Sequence, residues 1–149
     1  MEEYSELISV LNDLIRINVE RVRELKKRIN ELGNDLELVP LFKQLIEECS
    51  EFKEQLMHEV VKKGGEILSK ATDNTGRIYS SWKELKNWFL QKKNLSILEM
   101  IQFDTDAALR IYRKALFAVS NIPADTLDLI ATQRVHLRVE CERLKLNNI

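Results

Sequence analysis

Apolar residues recur along this chain at steps of three and four, the spacing of one face of an α-helix. The first such stripe runs Leu7, Leu11, Leu14, Asn18, Val22, Leu25, Ile29, Leu32 and predicts a helix over about 4–32. Gly33-Asn34 stops it, because glycine readily takes the left-handed cap conformation, and Asp35 is a good N-cap for a second helix. The second stripe, Leu38, Phe42, Leu45, Cys49, Phe52, Leu56, Val60, predicts that helix over about 36–63. Pro40 falls near its first turn, where a missing N–H costs little, and Gly64-Gly65 ends it. A third helix is predicted over about 95–119, capped by Asn94 or Ser96, with Leu98, Ile101, Thr105, Ala108, Tyr112 and Leu116 inward. Pro123 opens a fourth, over about 123–145, with Leu127, Ile130, Gln133, Leu137, Cys141 and Leu144 inward.

The stretch 66–75 is polar and loop-like. A short amphipathic helix comes after it, over about 77–91. It carries Trp82, Leu85, Trp88 and Phe89 close to one side, a face that predicts docking onto the rest of the molecule. Short links make the first two long helices antiparallel neighbours, and likewise the last two. The segment between the second and third is long enough to run the length of the molecule. The predicted fold is therefore all-α: a single ferritin-like four-helix-bundle domain over 1–149, with a long crossover that contains a short extra helix.

Charge narrows the function classes. With 23 basic and 24 acidic residues the net charge is −1, so no field of one sign exists to steer nucleic acid or an anionic membrane, and neither is an expected partner. The densest basic run, Arg21, Arg23, Lys26, Lys27 and Arg28, is interleaved with Glu20, Glu24 and Glu31 and reads as a solvated helix face. Cys49 and Cys141 form no metal-spacing motif and no disulfide framework, and both are expected reduced and unpaired. The acidic start does not read as a signal peptide, no apolar run approaches a membrane span, and a cytoplasmic setting is expected.

Candidate chemistry centres on the helix midpoints. Di-metal carboxylate bundles place a Glu on two helices and Glu-x-x-His on the other two, all inward near mid-bundle. Here the inward midpoints are Asn18, Cys49, Thr105 and Gln133, which predicts one small polar core layer at the level of a vestigial metal position. Glu-x-x-His does not occur. The nearest spacings are Gln55-x-x-His58 and Gln133-x-x-His136, and a neutral amide cannot balance divalent cations. Asp104 and Asp106 flank Thr105 and point off the stripe axis, from which a small register shift would turn one inward. No metal, cofactor or catalytic residue is assigned.

Several segments together, Leu11-Asn12-Asp13-Leu14-Ile15, the 35–42 stretch, Lys62-Lys63-Gly64-Gly65, Trp82 with Leu85-Lys86, Ile97-Leu98-Glu99 with Ala107-Ala108 and Tyr112, and Ile122-Pro123-Ala124, resemble a family of small bacterial ferritin-like proteins of unknown function. The resemblance covers nearly the whole chain. It implies a ferritin-like fold and no established activity. It also implies a Cys-Glu-Arg-Gly-Glu-Asp-type segment where this chain has Ile101-Gln102-Phe103-Asp104-Thr105-Asp106, of which only Asp106 is unchanged.

The functional expectation is a non-catalytic bundle acting through protein contacts or self-association, as a homodimer. The alternatives are a metal-binding or di-iron redox protein with an atypical site and a carrier for a small apolar ligand.

Overall fold

The computed structural model describes residues 4–68, 76–92 and 94–147. Of the expected loop over 66–75, residues 69–75 lie outside the described residues. The described residues form five helices and no strand: α1 (Ser5–Leu32), α2 (Leu38–Lys62), α3 (Arg77–Leu90), α4 (Ile97–Leu116) and α5 (Ala124–Asn147). None of these helices is long and apolar enough to cross a membrane.

Local chemistry sets the helix ends. Gly33 ends α1 at φ 64°. Asp35 Oδ1 then accepts the N–H groups of Glu37 (2.9 Å) and Leu38 (2.8 Å), so helical geometry begins at Leu38, two residues beyond the expected start. At the far end of α2 the N–H of Gly65 reaches the carbonyl of Val60 and that of Gly64 reaches Val61, the paired bonds of a Schellman cap with Gly64 at φ 82°. A capping box starts α4: Ser96 accepts from Glu99 N–H, and the Glu99 carboxylate accepts from Ser96 N–H. Tight turns from Phe117 and Ala118 back to Lys114 and Ala115 close α4 at Leu116, three residues short of the expected end.

Side-chain pairs fix the helix directions. Rising along α1, Asn18 meets Tyr112 and Arg21 meets Asp104, so α1 and α4 are antiparallel. Rising along α2, Phe52 meets Gln133 and Glu59 meets Thr126, so α2 and α5 are antiparallel. Tyr112 with Gln133 and Gln102 with Leu144 set α4 against α5 in the same sense. Phe42 clusters with Leu98, and the Phe52 ring lies 6.4 Å from Tyr112, so α2 and α4 run in the same direction.

Helix α3 packs against α1 and α4. Its N-cap, Gly76, has no side chain to offer, and the cap comes from α1 instead: Asp13 Oδ2 accepts Tyr79 N–H at 3.0 Å. The fit is close. A Cβ on Gly76 would lie 2.0 Å from both Asp13 carboxylate oxygens. Glu20, two turns along α1, receives both the Tyr79 hydroxyl and the Trp82 indole N–H. Trp82 and Phe89 are buried, Phe89 stacks on Phe103 at 3.9 Å, and Leu85 is half-buried. Trp88 departs from the expected docking face. It is 54 % exposed, because it lies on the flank of α3, where its ring meets Phe103 at a tilt, 5.8 Å away, and Lys92.

Candidate functional site

The core is divided. One apolar cluster spans Leu7 to Ile17 of α1, Phe52 to Val60 of α2, part of α3, Ala107 to Ala115 of α4, and Ile130 and Leu137 of α5. A second holds Leu25, Leu41, Phe42, Leu45, Cys49, Leu98, Ile101 and Leu144. The break falls at residues 18–21 of α1, 104–105 of α4 and around 140 of α5, and it is filled by charge.

Arg21 stands at its centre. Its Nε donates to Asp104 Oδ2 (3.4 Å) and its Nη2 to Glu140 Oε1 (3.2 Å), with all three side chains at most 2 % exposed. Lys86 of α3 reaches the other oxygen of Asp104 at 2.5 Å. Two cations thus meet two carboxylates inside the molecule. Arg21 is therefore no part of a solvated basic face: its neighbours Arg23, Lys26 and Lys27 are not buried, while Arg21 turns inward to the countercharges at its level. Asp104 likewise lies inward, not off the stripe axis, because Arg21 and Lys86 both draw it there.

The two acids are not equivalent. Asp104 has two cationic partners. Glu140 shares Arg21 with it and leaves Oε2 buried without a hydrogen-bond partner. Burial outweighs Arg21 and pushes the Glu140 carboxyl up to about 7.

The four predicted layer residues are all buried, in two groups. Asn18 Nδ2 donates to the Tyr112 hydroxyl (2.9 Å), which donates to Gln133 Oε1 (2.6 Å). Gln133 Nε2 then donates to Gln55 and to the Phe52 carbonyl. Thr105 bonds back to Ile101 of its own helix, and Cys49 sits in the second apolar cluster beside Arg21. Both cysteines are free. Burial holds the Cys49 thiol up at about 12 despite Arg21, and burial with a hydrogen bond to Asp106 does the same for Cys141. Cys141 follows Glu140 on α5 and so lies at the charged level.

The residues that periodicity missed share one signal. Arg21 lies between Asn18 and Leu25, Asp104 between Ile101 and Ala108, and Glu140 between Leu137 and Leu144, each at steps of three and four. A buried helix face is wide enough for two residues per turn. At each of these turns the single-file stripe takes the uncharged neighbour, Val22, Thr105 or Cys141.

This geometry does not suit a metal pair. Asp104 and Glu140 are the carboxylates at this level, with a guanidinium between them, and the other buried carboxylate, Glu59, is held by Thr126 and Lys63. Among the described residues no three of His, Cys, Asp and Glu converge as a ligand set. Neither His58 nor His136 is buried.

A family model, described as a domain of unknown function (DUF2383), matches residues 6–117. The chain belongs to this family. The match takes in α1 to α4, and with them Arg21, Lys86, Asp104 and Tyr112; Gln133 and Glu140 come from α5, beyond it. No curated protein matches the chain, and no solved structure does.

Proposed function

We propose that this DUF2383 chain is a single-domain ferritin-like four-helix bundle whose centre is closed by an ion cluster in place of metal, and that it works by self-association rather than catalysis. The shared direction of α2 and α4 supports the one-crossover frame, since only a link that runs the length of the bundle can join two such helices. The observation that carries the reading is Arg21. It brings a fixed positive charge to the level where the ferritin-like frame concentrates carboxylates around cations, and Asp104 and Glu140 are spent on it. A cytoplasmic setting would keep the two buried thiols reduced.

Helix α5 supports self-association. Of its expected inward residues, Ile130, Gln133, Leu137, Cys141 and Leu144 are buried, while Leu127, in the first turn, is 42 % exposed. Val135, Val139 and Leu146 lie on the opposite side of the same helix and are 58 %, 45 % and 69 % exposed. These exposed apolar residues, interleaved with Asp128, Thr132 and Glu142, give α5 surface to bury against a second body, and a second copy presents the same residues. Sedimentation velocity tests this. The wild type should run as a dimer at tens of micromolar, and Val135→Glu/Val139→Glu as a helical monomer. A wild type that stays monomeric across that range removes self-association from the account.

A further inference from the structure

A cleft of about 550 Å³ opens between α1, α3 and the start of α4. We propose that it binds a small organic anion with an apolar body. The cleft is large enough for such a ligand. Its charge is unlike that of the chain as a whole: six basic and three acidic side chains line it, while the full chain carries −1.

The three acids are already engaged by the protein. Asp104 is held by Arg21 and Lys86 at the cleft floor. Glu20 accepts from Tyr79 and Trp82, and Glu24 accepts from Arg28. Arg23, Lys27 and Lys83 have no ion pair among the described residues, and all three line the cleft. Unpaired cations around a walled cleft, with carboxylates turned toward the protein, leave a positive potential at the opening. Apolar walls complete the site. Phe89 and Leu90 of α3, Leu95 just before α4 and Met100 in its first turn line it. A simple inorganic ion would leave those walls wet, whereas an uncharged ligand would leave the cations unanswered.

The cleft also adjoins the buried cluster, because Lys86 and Asp104 belong to both. A bound anion would draw on Lys86, the one cation of the cluster that is partly exposed, at 20 %.

The test uses the full chain and the fluorescent probe 8-anilinonaphthalene-1-sulfonate, an anion with an apolar body. Binding is followed by energy transfer from tryptophan, and both tryptophans of the chain, Trp82 and Trp88, are on α3. The expected result is one saturable site whose affinity falls as salt rises, because exposed charges are screened over ~10 Å at 0.1 M salt. Lys27→Glu/Lys83→Glu should weaken binding at least tenfold, and Lys27→Gln/Lys83→Gln should weaken it less. Val135→Glu, on the far face of α5, should leave it unchanged. No binding, binding indifferent to salt and to charge reversal, or binding abolished by Val135→Glu would each overturn the proposal.

Discussion

Glu140 sits in the core with one oxygen on Arg21 and the other unpaired, and burial raises its carboxyl to about 7 from an ordinary 4.5. The folded chain then holds a proton that the unfolded chain releases. Stability from this group is complete below about pH 4.5 and is lost as pH rises toward 7. Glu140→Gln removes the titration. Between pH 5 and 7.5 the wild type should lose stability relative to that variant, on the order of 1–3 kcal/mol, read from denaturant midpoints at the two pH values. Parallel curves for the two proteins would contradict the assignment. The same residue shows why the site is only half legible in the sequence. Asn18, Cys49, Thr105 and Gln133 stand out as polar or small residues on an apolar stripe, and all four are buried. Arg21, Asp104 and Glu140 occupy equally inward registers. A charge on one helix reads as solvated until its countercharge is known, and that countercharge lies on another helix, 83 residues away for Asp104 and 119 for Glu140.

At the scale of elements, α3 depends on α1. Its N-terminus has no cap of its own and borrows Asp13, while Trp82 hangs on Glu20. Asp13→Ala should therefore cost about 0.5–2 kcal/mol, the usual worth of a cap. It should also loosen α3 selectively, so that tryptophan emission shifts to the red under conditions where far-ultraviolet circular dichroism still reports intact α1, α2, α4 and α5. Emission identical to wild type would mean that apolar contacts alone hold the helix. Periodicity locates α3, because its apolar residues have to be covered, and read strictly it also separates the two tryptophans. Trp82 lies on the line of Ile78, Leu85 and Phe89, at steps of four and three, while Trp88 lies about 120° around the helix from Trp82, on the flank. What the spacing does not give is the partners, Glu20 for Trp82 and Phe103 for Trp88, because neighbouring helices supply them.

For the whole molecule, helix number and order can be read from apolar spacing and from glycine, proline and asparagine breaks, with ends misplaced by at most three residues where a cap such as Asp35 or a tight turn such as Lys114–Phe117 intervenes. Helix directions cannot be read that way, because periodicity reports which face is inward and not what lies opposite. The cross-helix pairs supply them. They also bring the central question into one place: Asp104 and Glu140 meet across the core, and the charge between them is Arg21. Two divalent ions there would have to displace a guanidinium whose own burial leaves it nowhere else to pair, and stranding a buried charge costs several kcal/mol. The most direct test is the metal content of the wild-type chain, expressed in medium supplemented with iron and manganese, purified by gel filtration and measured by mass spectrometry. An ion cluster in place of metal predicts iron and manganese near zero per chain. About two equivalents of either, the load of a di-metal bundle, would contradict it.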